Sequence, residues 1–201
     1  METPAEMTQR ERMLSGLPYE AWDPELVRMR HRARRLLREH NATTEEEPDK
    51  RSALLKELLG AGGEGAYIEP PFYCDYGTHI KVGKGFYMNF DCVILDCAMV
   101  EIGDNVLCAP KVQLYAATHP LDAAERIKGP ELAKPIKIGN NVWLGGGAIV
   151  CPGVTIGDNT TIGAGSVVTK DIPANVLAAG NPCRVIKQLA PPASTSSETS
   201  Q

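Results

Sequence analysis

From residue 138 onward the chain repeats itself every six residues. Set in register, the tract reads IGNNVW LGGGAI VCPGVT IGDNTT IGAGSV VTKDIP, and each hexad opens on an aliphatic residue: Ile138, Leu144, Val150, Ile156, Ile162 and Val168. The residue four places further on is small or β-branched: Val142, Ala148, Val154, Thr160, Ser166 and Ile172. A period of six matches neither the helical period of ~3.6 nor the alternation of a long strand. It matches a coil with three short faces, each turning one aliphatic residue inward, so that about eighteen residues complete a turn. Gly, Asn and Asp beside the aliphatic position, as in IGDN, IGNN and IGAG, supply corner residues that tolerate positive φ. The same grammar holds at Ile102, Cys108 and Leu114, and less regularly at Val82, Met88 and Ile94. Residues 66–182 are therefore expected to be mainly β, a parallel β-helix of hexapeptide repeats. The period alone does not choose its hand.

Between Leu114 and Ile136 the repeat vanishes into YAATHPLDAAERIKGPELAKP. A long excursion from a compact scaffold is usually functional or disordered. The apolar, proline-stiffened start of this one argues for a protruding functional loop over residues 115–135. His119 stands at its base, between Thr118 and Pro120. A neutral imidazole can accept a proton from a hydroxyl within hydrogen-bond reach, which makes His119 a candidate general base. The alternative is a hydrogen-bonded loop histidine with no chemistry.

The first sixty residues are rich in Arg, Glu, Leu and Met and poor in Gly. Asp23 as cap, Pro24 in the first helical position and the stripe Leu26, Met29, Ala33, Leu36 and Leu37 predict a helix over about 24–39. KRSALLKELLGAGG predicts a second helix that Gly60 ends. This helical segment, residues 8–62, is too short to form a core alone and is expected to lie against the coil. Residues 183–190 are expected to form a C-terminal helix, and the tail 191–201, PPASTSSETSQ, has the composition of disorder.

The 201 residues carry a net charge of −4, which favours neither nucleic acid nor an anionic membrane surface as partner. No apolar run is long enough for a membrane span or a secretory leader, so a cytoplasmic protein is expected. The six cysteines include no CxxC pair and read as buried free thiols. Of the four histidines, His31 and His40 fall in the helical segment, which leaves only His79 and His119 on the repeat. A zinc site built from three histidines, such as that of the γ-type carbonic anhydrases, is not expected.

The segments NFDCVILD, IGDNVLCAPKVQLYAATHP and PYEAWDPEL, together with KPIKIGNNVWLGGGAIVCPGVTIGDNTTIGAGSVVTKDIPANVLAAGNPCRVIK, resemble the maltose and galactoside O-acetyltransferases over residues 8–189. The resemblance implies a left-handed β-helix that works as a homotrimer with active sites between neighbours, acetyl-CoA as donor, a sugar as acceptor, and no metal. It makes His119 the base and sets Asn89 beside the acceptor and the acetyl group. Asp75 and Asp96 become acceptor-side residues; carboxylates suit sugars because each accepts from more than one hydroxyl. Ala164, Thr169, Lys170, Arg184 and Lys187 fall on donor positions, with the three cations toward phosphate. Two departures lean toward the maltose type. Cys97 stands where the galactoside enzymes carry a second acid, and Gly146 stands where they carry a serine. Without that hydroxyl the oxyanion would be held by a backbone N–H, at Gly145 or Gly146. Trp143 is expected to shape the outer wall of the donor groove, a subunit contact or a buried aromatic edge. An acetyltransferase for a non-sugar acceptor and a non-catalytic trimeric subunit are the alternatives.

Overall fold

The computed structural model describes residues 7–190. The hexads wind into a parallel solenoid of about six turns with three faces. The first face stacks Tyr67–Ile68, Tyr87–Met88, Leu107–Cys108, Trp143–Leu144, Thr161–Ile162 and Val176–Ala179. The second stacks Phe72–Cys74, Cys92–Leu95, Gln113–Tyr115, Ile149–Val150 and Val167–Val168. The third stacks Ile80–Val82, Val100–Ile102, Ile136–Ile138 and Thr155–Ile156. Every hexad-opening aliphatic from Ile138 to Val168 is buried, as are the residues four places on. The two polar members of that second set keep their hydroxyls satisfied. Thr160 donates to the Pro173 carbonyl at 2.9 Å and Ser166 to the Gly163 carbonyl at 2.6 Å, as burial of a hydroxyl requires.

The corner between the third and first faces explains the recurring asparagines. Asn105, Asn141, Asn159 and Asn175 all adopt φ between 55° and 58°, a region that asparagine tolerates better than most side chains. Their amides bond from turn to turn, Asn105 to Asn141 at 3.0 Å, Asn141 to Asn159 at 2.9 Å and Asn159 to Asn175 at 3.0 Å. One residue type thus supplies both the bend and the fastening between coils.

The helical segment begins with α1 (Gln9–Leu14), closed by a reciprocal capping box between Thr8 and Glu11. It continues with α2 (Pro24–Asn41) and α3 (Pro48–Leu58). Asp23 caps α2 through the Glu25 N–H at 2.9 Å, and Leu26, Ala33, Leu36 and Leu37 are buried on the expected stripe. All three helices share one core with the solenoid. Gly60 follows α3 as expected, and its lack of a side chain has a specific cause: a Cβ there would lie 2.3 Å from the Thr78 carbonyl oxygen.

The excursion over 115–135 is ordered. Ala117–Thr118 pairs antiparallel with Leu132–Ala133, and the helical turn α4 (Ala123–Arg126) lies between them. The helical segment clamps this hairpin: Tyr19 and Glu131 exchange backbone hydrogen bonds at 3.1 and 3.0 Å, and the Tyr19 hydroxyl donates to the Glu131 carboxylate at 2.9 Å.

The end of the chain corrects one expectation. Residues 183–190 do not form a helix; Arg184–Gln188 is a strand antiparallel to Val176–Ala179. The last parallel strand offers an open edge of backbone donors and acceptors, and the turn at Gly180 and Asn181 brings RVIKQ back onto it. The β-branched pair Val185 and Ile186 suits that pairing better than a short helix. The expected tail, 191–201, lies outside the described residues.

Candidate active site

The candidate residues divide between two corners of the solenoid. Asn89, Gly145, Gly146 and Ala164 lie on the corner between the first and second faces, one above another. The Asn89 N–H donates to the Cys108 carbonyl at 2.9 Å, and the Gly145 N–H to the Ile162 carbonyl at 2.8 Å. Asp75, Asp96, Thr169, Lys170 and the root of the His119 loop lie on the corner between the second and third faces. Arg184 and Lys187 are on the returning end strand, exposed.

His119 follows directly on the strand Ala117–Thr118 and is exposed at the rim of a cleft of about 320 Å³. Asp75, Tyr76, Leu95 and Cys97 come to this cleft from the solenoid, Glu131 from the loop, and Trp22, Arg30 and Arg34 from the helical segment. Burial raises the Asp75 carboxyl above its ordinary range, opposed by its contact with Cys97, whose sulfur lies 3.4 Å from Asp75 Oδ2, and by the charges of Arg30 and Arg34. Burial, with Asp75 adding to it, also pushes the Cys97 thiol upward, so it sits in the cleft as a neutral group. Arg30 donates to the Tyr76 hydroxyl at 2.9 Å and to the Ala21 carbonyl at 2.7 Å. The cleft wall is therefore braced at Arg30 and holds charges of both signs.

Asp96 is not in the cleft. It is fully buried, and its Oδ1 accepts from the backbone N–H groups of Asp75 at 3.0 Å and Tyr76 at 2.8 Å, with Oδ2 3.4 Å from the His79 N–H. Burial pushes its carboxyl up to about 7, against the pull of the Tyr76 N–H. The expectation that Asp96 meets sugar hydroxyls is thus corrected: it shapes the backbone turn that presents Asp75. His79 is equally internal. Its Nδ1 lies 2.8 Å from the Asp96 carbonyl oxygen, and burial lowers its pKa, so it is neutral.

On the other corner, Asn89 is half-buried and its Oδ1 accepts from the Phe90 N–H at 2.8 Å. Its side-chain NH₂ has no partner among the described residues. The two glycines part company. Gly145 lacks a side chain because a Cβ would lie 2.5 Å from the Ala164 nitrogen, and its N–H is taken by Ile162. At Gly146 a Cβ would lie 3.4 Å from the Pro110 carbonyl oxygen, and its N–H, like that of Ala164, has no partner among the described residues. Beside it, a Cβ on Gly147 or Gly165 would meet nothing within 4 Å. This corner is an open backbone strip, with the exposed Ala164 and, from the end strand, exposed cations. Small residues for close approach and cations for phosphate are what a coenzyme A arm requires.

Sequence reasoning missed Trp22, Arg30, Arg34 and Glu131 as cleft residues. Trp22, Arg30 and Arg34 lie far from the repeat in sequence and Glu131 lies in the irregular loop, so only the packing of the helical segment and the loop brings them together. The exposed Trp22 beside a helix cap was the one available signal.

Two family models match the chain: the maltose acetyltransferase hexapeptide capping motif over residues 12–63 and the bacterial transferase hexapeptide, six repeats, over 135–170. The galactoside O-acetyltransferase of Escherichia coli K12 is 47% identical over 183 residues, covering 91% of this chain and 90% of that protein. The crystal structure of a maltose O-acetyltransferase from Clostridium difficile 630 superposes with a TM-score of 0.91 at 53% identity, covering 92% of this chain and 99% of that one. A galactoside acetyltransferase in complex with coenzyme A superposes at 0.88 with 47% identity, covering 92% of each chain. Fold and site thus define a hexapeptide-repeat acetyltransferase. Within that class, the chain belongs to the galactoside and maltose O-acetyltransferase family, whose members are acetyl-CoA-dependent.

Proposed function

We propose that the protein transfers an acetyl group from acetyl-CoA to a sugar hydroxyl, in a site completed by a second copy of the chain. The observation that carries this reading is the division of the candidate residues. His119 and Asp75 share one cleft, while Asn89, Gly146 and Ala164 lie on a different corner of the same coil. A neighbouring copy that sets its open corner against the His119 cleft brings base, acceptor and donor groove together, and a closed ring of three copies repeats this contact at every seam.

In that site the acceptor hydroxyl gives its proton to the His119 imidazole as its oxygen attacks the thioester carbonyl carbon. The tetrahedral oxyanion is met by the neighbouring copy's Gly146 N–H, one of the donors left free on that strip, and by the Asn89 NH₂ of the same strip. Its collapse breaks the C–S bond, and the coenzyme A thiolate leaves with the proton held by His119. Asp75 accepts hydrogen bonds from neighbouring sugar hydroxyls and orients the ring. The pantetheine arm lies along Gly146 and Ala164, with Thr169 beside it, and Lys170, Arg184 and Lys187 face the phosphates. A reducing cytoplasm suits both the donor and the six unpaired cysteines; no helix among the described residues is long and apolar enough to cross a membrane.

Thiol release from acetyl-CoA in the presence of glucose or maltose tests the proposal. His119→Ala is expected to lower kcat by about 10²–10⁴, the usual contribution of a general base, with coenzyme A affinity retained. Turnover at the wild-type rate would remove His119 from the mechanism. A monomer at assay concentration with full activity would refute the shared site.

A further inference from the structure

Trp22 is an unusual residue to find at the rim of this cleft. It is 80% exposed, with its backbone fixed and its ring in contact with one cation. Its backbone N–H donates to the Glu20 carboxylate at 3.1 Å, and the Arg30 guanidinium carbon lies 5.9 Å from its ring centroid. Arg30 is itself fixed by the Tyr76 hydroxyl and the Ala21 carbonyl, and lies 5.8 Å from the Tyr76 ring. The buried Tyr76, the guanidinium and the indole form a braced series running from the floor of the cleft to its mouth. The polar groups that can orient a reacting sugar, Asp75 and His119, belong to the same cleft.

A pyranose ring has a C–H-lined apolar side and a rim of hydroxyls. An exposed indole on a hydrogen-bonded backbone, with the Arg30 guanidinium against its ring, offers a flat apolar face to that side. A single sugar whose hydroxyl faces His119 and whose neighbouring hydroxyls meet Asp75 lies within the cleft. A second ring joined to it would reach the rim where Trp22 stands.

We propose that Trp22 is a platform for the second ring of a di- or oligosaccharide acceptor, so that the enzyme prefers extended glycans to monosaccharides. This rests on the sugar acetyltransferase reading above. Trp22 touches no reacting atom and acts on acceptor choice alone.

The test compares maltose with glucose as acceptor for the wild-type assembly, Trp22→Ala and Trp22→Phe, following thiol release. The ratio of kcat/KM for maltose to that for glucose should fall roughly tenfold in Trp22→Ala. The loss should appear in KM for maltose, with kcat for maltose preserved, because a binding platform acts equally on ground and transition states. Trp22→Phe should recover most of the ratio. An unchanged ratio, a loss borne by kcat, or dissociation of the assembly by Trp22→Ala would overturn the platform. A second readout separates it from the parent reading: maltose should alter the tryptophan emission of the wild type, and Trp22→Phe should abolish that change. A wild type that acetylates neither sugar sinks the proposed function, and the emission titration still decides whether Trp22 holds a disaccharide.

Discussion

Replacing Asp96 separates two roles that its sequence position leaves indistinguishable, substrate ligand and internal brace. In Asp96→Ala the backbone N–H groups of Asp75 and Tyr76, now bonded at 3.0 and 2.8 Å, lose their acceptor in a site sealed from water. Leaving a buried donor unpaired costs about 1–3 kcal/mol each, so two of them give about 2–6 kcal/mol. Removing a carboxyl that burial has pushed up to about 7 returns part of this at neutral pH. A net loss of about 2–4 kcal/mol is expected near pH 7.5. Asp96→Asn behaves differently. Its amide oxygen keeps both short bonds, and only the 3.4 Å contact with the His79 N–H is lost, so the cost should stay near ~1 kcal/mol. The pH dependence has a definite sign. Because the folded pKa is raised, the wild type is most stabilised by this group below the unfolded Asp range, near 3.8, and loses that contribution as pH rises toward about 7. Asp96→Asn should therefore compare most favourably with the wild type above pH 7 and progressively less so toward pH 4. Urea midpoints at one fixed protein concentration give the measurement, since assembly makes stability concentration-dependent. An Asp96→Ala protein that unfolds like the wild type but has lost acceptor affinity would refute the argument.

Other consequences follow from the same geometry. Asp75 titrates above the ordinary carboxylate range, so KM for the acceptor should rise on acidification before a free carboxylate would protonate, and Asp75→Asn should flatten that profile; a profile identical in the two proteins would exclude Asp75 from acceptor binding. Gly145→Ala forces a Cβ to within 2.5 Å of the Ala164 backbone nitrogen and should lower the thermal midpoint sharply. Gly146→Ala, facing only the Pro110 carbonyl at 3.4 Å, should melt close to the wild type and, because it keeps its N–H, retain turnover; equal melting of the two variants would contradict the stacking. Leu189→Pro removes the N–H that bonds the Asn175 carbonyl at 2.8 Å and should loosen the end strand at a cost of about 1–3 kcal/mol, visible as faster amide exchange in Val176–Ala179.

The solenoid was legible because its signal is redundant: each hexad repeats the same inward aliphatic, and the buried series Leu144, Val150, Ile156, Ile162 and Val168 agrees position by position. The loop was legible as the place where that series stops. RVIKQ was not, because five residues carry too little periodicity to distinguish helix from strand, and its conformation follows from the edge it meets. The role of Asp96 was hidden for a related reason. A carboxylate aimed at backbone N–H groups and one aimed at solvent have the same sequence neighbours, and only the folded turn at Asp75 and Tyr76 separates them. The cleft wall was least legible of all, since Arg30 reaches Tyr76, and Trp22 reaches the same cleft, only through the docking of the helical segment.

A stack of parallel turns has no intrinsic length, since every strand that ends it could serve as template for another. The reversal of direction at Arg184–Gln188 converts an open-ended polymer into an object of defined size. A chain cut before Arg184 would expose the Val176–Ala179 edge to strands of its neighbours, and end-to-end fibre growth, rather than unfolding, is the failure to expect from it.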